Sequence, residues 1–330
     1  DAVTTIELVT FSGAAAVESS HKDIAHMTAF AFVFPGQGSQ AVGMLNAWEG
    51  HAAVRDTLAE ASEALGEDIG KLIAEGPKES LDLTTNTQPV MLTAGVACWR
   101  AWQAETGLVP AAVAGHSLGE YSALVAAGAL TLKDALPLVR FRAQAMQEAV
   151  PVGVGGMAAI LGLDAEAAAA VGEPVEAVNF NDPKQTVIAG TKAAVEKACE
   201  VLKAAGAKRA LSLPVSAPFH SSLMKPAAER LKEKLAATPF AVPTISVVNN
   251  IDVAVVSEAD ALRDALYRQA FGPVRWVETI QALKARGLTH VIECGPGKVL
   301  AGMVKRIDGD LITTTIFDPA SLAEAKGLLA

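Results

Sequence analysis

An α/β fold, with a mostly parallel sheet in a large domain and a small inserted domain, is predicted by three features of the chain. Short apolar runs alternate with helical patterns of about 10–15 residues, the order of a sheet covered on both faces. A Gly-x-Ser-x-Gly phrase, Gly115 to Gly119, sits between one such run and the next helical segment. Residues 153–213 read strand–helix–strand–strand–helix–strand, a separate unit of about 60 residues. A chain of 330 residues buries roughly 75% of its extended surface, enough for one large domain and a smaller companion.

Residues 1–26 begin without Met and lack a basic run followed by an apolar core, so they do not read as a secretory leader. They are assigned as an extension of unknown structure and no function, with Met27 as a natural start. Residues 29–34 form an apolar strand that enters the loop Pro35-Gly36-Gln37-Gly38-Ser39-Gln40. Its glycine spacing is neither that of a dinucleotide loop nor that of a phosphate loop. It is either a plain tight turn or a loop whose N–H groups face an anion or oxyanion. Apolar positions recur at helical spacing over 52–64, and 68–74 is a short helix stopped by Gly76-Pro77. A long helix over 87–104 is separated by Gly107 and Pro110 from the strand 111–114. The serine turn follows, then helices over 120–127 and 134–149, the second carrying Arg140, Arg142 and Gln144.

The composition changes over 151–156. Strands at 156–163, 175–180, 186–189 and 207–213, with helices at 165–171 and 192–205, give the ferredoxin-like order. Beyond them come a helix over 223–236, a strand over 244–248 ending in Asn249-Asn250, and a helix over 259–269. A turn at 271–276 enters another helix, and a strand over 290–294 closes with Gly295-Pro296-Gly297-Lys298. The large domain is therefore expected to be 27–152 with 214–330, α/β-hydrolase-like around the serine turn, and the small one 153–213.

Composition excludes several classes of function. With 27 Lys plus Arg against 36 Asp plus Glu, net −9, there is no basic tract to displace counterions from nucleic acid. The most apolar segment, 111–132, is interrupted by His116 and Glu120, so no membrane span is expected. Cys98, Cys199 and Cys294 are far apart in apolar surroundings, as expected of buried thiols in a reducing, cytoplasmic setting. The histidines and acids show no metal-ligand spacing.

A serine at a sharp strand-to-helix turn holds its hydroxyl clear of the backbone, and the helix that starts there aims N–H groups at the reacting oxygen. Ser117 is therefore the candidate nucleophile; the alternative is a glycine-rich turn whose serine caps the helix. A base must take its proton. His21, His26 and His51 are peripheral, His116 borders the turn, and His290 starts an apolar strand. His220, in Pro218-Phe219-His220-Ser221 where the small domain ends, is placed to reach across a cleft. Asp182 and Asp252 are possible orienters, but a backbone carbonyl also fixes an imidazole tautomer, which favours a Ser–His pair. An unperturbed imidazole loses its basic form below about pH 6.5.

The phrases Phe34-Pro35-Gly36-Gln37-Gly38-Ser39-Gln40, Gly115-His116-Ser117-Leu118-Gly119-Glu120, Val178-Asn179-Phe180-Asn181 and Glu293-x-Gly295-Pro296-Gly297 recur in this order over about 300 residues. Together they resemble the malonyl-CoA:acyl-carrier-protein transacylases of bacterial fatty-acid synthesis. Acyltransferase domains of polyketide synthases are related. The resemblance implies a ping-pong acyltransferase in which Ser117 carries a malonyl ester and His220 is base and then acid. It implies an oxyanion hole from the backbone N–H groups of Gln37 and Leu118, and Arg142 as partner of the malonyl carboxylate. It implies that the backbone carbonyl of Gln269 orients His220. Asn179 and Asn181 would line the cleft on the small-domain side, with His116 at its floor.

Ala217-Pro218-Phe219-His220 departs from the Pro-Ser-His common in the bacterial enzymes. It is similar to the Ala-Phe-His of malonyl-selective acyltransferase domains, which makes Phe219 a candidate pocket wall. The implied partners are malonyl-CoA and, transiently, an acyl carrier protein that brings its own phosphopantetheine. No bound cofactor and no metal are implied, and a monomer is expected. Two rival functions share these features: a serine hydrolase using the same turn, and a carrier-docking module with an inert serine.

Overall fold

The computed structural model describes residues 28–215 and 217–330; the 1–26 extension, Met27, His21 and His26 lie outside the described residues. The described strands are β1 (Phe30–Phe34), β2 (Ala112–Gly115), β3 (Gly155–Leu161), β4 (Glu176–Asp182), β5 (Gln185–Thr191), β6 (Arg209–Ser212), β7 (Ser246–Val248), β8 (His290–Cys294) and β9 (Ile312–Ile316). They form two sheets, one ordered β7-β2-β1-β8-β9 and the other β4-β5-β3-β6. Every pairing in the first is parallel. This is a mixed α/β architecture with an α/β-hydrolase-like parallel sheet.

β1 is the centre of that sheet and shows why the sheet is covered on both sides. Successive side chains of a strand face opposite ways. Phe30, Phe32 and Phe34 join the apolar cluster that includes Leu92, Trp99 and Trp102. Ala31 and Val33 join the opposite cluster, which includes Trp276, Leu300 and Val304. The ring of Phe32 meets Trp99 and Trp102 edge-on at 5.8 and 5.3 Å. Each such buried side chain contributes roughly 1.5–3 kcal/mol by leaving water.

The second sheet is antiparallel throughout, and its two faces have different duties. Ala158, Ile160 and Ile188 pack beneath Val195, Ala198 and Leu202 of the Lys192–Ala204 helix. Met157, Ala159 and Val187 face the other way, toward Val215 and Phe219 at the junction with the large sheet. The two bodies are stitched together along β4. Val274 N–H donates to the Val178 carbonyl at 2.8 Å, and Phe180 N–H donates to the Val274 carbonyl at 3.0 Å. Arg306 Nε donates to the buried Asp182 carboxylate at 2.7 Å, and the Ser222 hydroxyl donates to Glu176 at 2.8 Å.

Several boundaries differ from the sequence expectation for identifiable reasons. The helix expected from residue 134 runs Leu132–Glu148, because Thr131 caps it by accepting the N–H of Asp134. The helix expected from 87 runs Thr84–Thr106. The strand expected over 175–180 continues in β4 through Asp182, whose side chain accepts the Lys184 N–H. Cys98 and Cys294 are buried, whereas Cys199 is half-buried on its helix. Burial pushes the Cys98 thiol up to about 12. The helices Val299–Ile307 and Pro319–Leu329, and β9, have no counterpart among the expectations. Among the described residues no helix is long and apolar enough to cross a membrane.

Candidate active site

The chain leaves β2 at Gly115 and enters the Gly119–Ala126 helix four residues later. Ser117 makes that reversal with φ +53°, a left-handed conformation that non-glycine residues adopt at a cost of order 1–3 kcal/mol. The flanking glycines are required by close approach. A Cβ on Gly115 would stand 1.8 Å from the Gly119 carbonyl oxygen, and one on Gly119 would stand 2.1 Å from that of Phe34. The Pro35–Gln40 loop is held against the turn in the same way, since a Cβ on Gly36 would lie 2.5 Å from the His116 carbonyl oxygen.

Opposite the turn stands His220, 3% exposed and also left-handed, at φ +64°. Its Nε2 lies 2.7 Å from Ser117 Oγ. Its Nδ1–H donates to the Gln269 carbonyl at 2.8 Å, which fixes the tautomer with a free Nε2 lone pair toward the serine. Neither Asp182 nor Asp252 is the orienter. Asp182 is engaged by Arg306 and Asp252 by Arg268 Nη1 at 2.7 Å. Burial, reinforced by the Arg142 cation, pushes the imidazole down to about 3. That is far below the unperturbed value near 6.5, because burial withholds solvation from the charged form.

Arg142 is 1% exposed. Its Nη1 donates to Gln88 Oε1 at 2.7 Å and its Nη2 to Gln269 Oε1 at 3.0 Å, while Nη2 also lies 3.5 Å from Ser117 Oγ. Its guanidinium carbon sits 5.4 Å from the Tyr121 ring centroid, a cation–π contact. Burial lowers its proton affinity below the ordinary guanidinium value. Arg140 and Arg275 are spent elsewhere, on Glu67 at 2.7 Å and Glu278 at 2.9 Å.

Gln37, Leu118, Arg142, His220 and Phe219 share one pocket of about 120 Å³ with Ser117. The Ser117 N–H does not face it, because it donates to Asn250 Oδ1 at 2.9 Å. A wider cleft of about 510 Å³ leads outward between the Pro35–Gln40 loop and the small sheet, past His116, Asn179 and Asn181. His116 Nε2 lies 2.7 Å from Asn181 Oδ1, and its ring meets Trp276 edge-on. His51 and His290 are engaged by Glu105 and Thr289. Among the described residues no cluster of His, Cys, Asp and Glu could hold a metal ion.

The family described as "Acyl transferase domain" matches residues 31–308. The malonyl CoA-acyl carrier protein transacylase of Salmonella typhimurium is 54% identical, over 91% of this chain and 99% of its own length. The solved acyl-carrier-protein S-malonyltransferase of Burkholderia pseudomallei superposes with TM-score 0.89 and 69% identity, covering 90% of this chain and 99% of its own. This chain belongs to the malonyl-CoA:acyl-carrier-protein transacylase family. A further member, solved as a type II PKS acyl-carrier protein in complex with its malonyl-transacylase, is 50% identical with TM-score 0.89, over 90% of this chain and 99% of its own.

Several residues of this transacylase site have roles that the sequence reading did not assign. Gln88 holds Arg142 from the second turn of the Thr84–Thr106 helix, in a stretch, 87–99, buried on every side. Asn250, fully buried, holds the serine turn from the end of β7. The Gln269 side chain works beside its own carbonyl, with Nε2 donating to the Ser117 carbonyl at 3.0 Å. Glu120 is 2% exposed and lies in the first turn of the helix after the serine. Burial raises its carboxyl to about 7. Of these, Glu120 stood in the Gly115–Glu120 phrase, Gln269 was named for its carbonyl alone, and Asn250 stood in the doubled asparagine at a strand end.

Proposed function

We propose that this chain moves malonyl from malonyl-CoA to the phosphopantetheine thiol of acyl carrier protein through a malonyl ester on Ser117. The observation that carries this assignment is Arg142, a buried guanidinium whose Nη2 lies 3.5 Å from the serine oxygen. A cation kept out of water beside a nucleophile suits an acyl group that ends in a carboxylate.

The chemistry follows from the positions of the groups. His220 Nε2 takes the Ser117 proton as Oγ attacks the thioester carbonyl. The backbone N–H groups of Gln37 and Leu118 receive the developing oxyanion, since the N–H of Ser117 is already committed to Asn250. The C–S bond breaks, the CoA thiolate takes the proton from the imidazolium, and the ester remains. The carrier thiol then gives its proton to His220, attacks the ester, and leaves with malonyl as Ser117 recovers its proton. Phe219 walls the acyl pocket, and His116, Asn179 and Asn181 border the arm. No resident cofactor takes part.

The antiparallel β4-β5-β3-β6 order, with two helices on one face, supports a ferredoxin-like small domain at 153–213 inserted between 27–152 and 214–330. One chain supplies every group named, as a monomer requires, and a cytoplasmic setting suits the CoA thioester.

The test is CoA release from malonyl-CoA with and without phosphopantetheinylated carrier. Transfer predicts one equivalent of CoA per enzyme without carrier and continuous release with it. Continuous release without carrier identifies a hydrolase.

A further inference from the structure

We infer that Asn250 is a positioning residue for the transfer reaction, acting as a clamp that holds the serine turn in its left-handed shape. The inference rests on Ser117 as the nucleophile. β7 pairs with β2 in parallel, Ala112 with Ser246, Val113 with Val247 and Ala114 with Val248. The ladder stops there because the chain turns away from the sheet to present Ser117. The Asn250 side chain continues it. Its Nδ2 donates to the Gly115 carbonyl at 2.7 Å, and its Oδ1 accepts the Ser117 N–H at 2.9 Å. One planar amide thus spans both ends of the strained step, as a further backbone unit of β7 would.

The clamp is itself fixed from the helix that follows the serine. Asn250 N–H donates to Glu120 Oε1 at 2.6 Å, and Gln269 Nε2 approaches Asn250 Oδ1 at 3.4 Å. Asn250 is fully buried and lies outside the pocket that receives the acyl group. It also consumes the one N–H of the turn that would compete with Leu118 for the oxyanion. Displacing the turn by about 1 Å costs on the order of 100-fold in rate without touching the groups that bind the substrate.

Single-turnover acylation by malonyl-CoA, followed by quench and intact mass, tests this in wild type, Asn250→Ala and Asn250→Asp. Asn250→Ala is expected to lose about 100-fold in the maximal acylation rate, with the half-saturating malonyl-CoA concentration within about threefold of wild type. Asn250→Asp separates geometry from stability. As a neutral acid it again offers one acceptor to Ser117 N–H and one donor to the Gly115 carbonyl; as a carboxylate it loses the donor. The charged and titratable groups around it are Glu120 in direct contact, Arg142 and His220 beyond Gln269, and Asp252, which Arg268 holds, in the next turn.

Its acylation rate, taken relative to wild type at each pH, should therefore rise at least tenfold between pH 8 and pH 5.5. An Asn250→Ala rate within threefold of wild type, or one lowered only in proportion to the folded fraction, overturns the clamp. If Asn250→Ala does not fold, a pH-independent relative rate for Asn250→Asp overturns it equally. Wild-type enzyme that acylates elsewhere than Ser117 refutes the assignment of the nucleophile instead, and the two failures are separately visible.

Discussion

Ser117 Oγ lies 2.7 Å from His220 Nε2, and both residues hold positive φ, +53° and +64°. The two strained positions face each other at the junction of the two sheets, each over-determined by its surroundings. The glycine contacts, Asn250 and Gln269 hold the serine; Gln269 holds the histidine. Strain of this kind persists where a reactive geometry is prepared in advance.

The pH dependence follows from the burial of His220. A base must be unprotonated to act, so activity is present above its pKa and lost below it. With the free-enzyme imidazole near 3, kcat/KM for acylation should stay flat from pH 8 down to about pH 5. Pairing of a substrate carboxylate with Arg142 removes part of the repulsion on the imidazolium, so the pKa governing kcat should lie above that governing kcat/KM for malonyl-CoA. A stopped-flow profile with a limb centred near pH 6.5 in kcat/KM would show a water-accessible ring.

Arg142→Ala should separate malonyl from acetyl transfer. Loss of a buried carboxylate partner costs roughly 2–5 kcal/mol, about 30- to 4000-fold, and it falls on malonyl-CoA alone. Acetyl-CoA leaves the wild-type guanidinium facing an acyl group without charge, so acetyl transfer should be unchanged or faster. The measurement is kcat/KM for both thioesters at fixed pH and salt. An equal fall for both places the carboxylate site elsewhere.

Gln88→Leu leaves Nη1 of Arg142 without its 2.7 Å acceptor. Hydrogen bonds to a charged group are worth about 1.5–3 kcal/mol, so malonyl kcat/KM should fall about 10- to 150-fold, and acetyl transfer much less. Parallel kinetics with the two substrates decides it.

Gly119→Ala should destabilise the fold beyond the ~1–3 kcal/mol of ordinary overpacking. The new Cβ meets the Phe34 backbone at 2.1 Å, and a carbonyl of the central strand has no rotamer to give. Urea midpoints compared with Gly327→Ala, where a Cβ would meet nothing within 4 Å beyond its own helix backbone, measure the difference.

The sequence carried the parts of this site that need a special backbone. Ser117 was legible because its turn demands glycine on both sides, and His220 because it follows the second sheet's last strand in a proline-bounded loop. The roles of Gln88 and Asn250 were not legible, because each works through an ordinary amide whose partner lies 54 and 133 positions away. The four strands of the second sheet were readable as elements along the chain, yet the stitching of β4 to Val274 is a backbone contact that leaves no residue signature. Beyond residue 298, Leu300, Met303 and Val304 carried an ordinary helical stripe and residues 312–316 a β-branched run. The large sheet's last strand was therefore within reach of the periodicity.

The most direct measurement is rapid-quench intact mass with peptide mapping after mixing the enzyme with malonyl-CoA, followed by a chase with phosphopantetheinylated carrier. A single malonyl group on Ser117, removed from the enzyme and recovered on the carrier, is the predicted result. No acylation, acylation of another residue that survives in Ser117→Ala, or malonyl lost to water during the chase would contradict it.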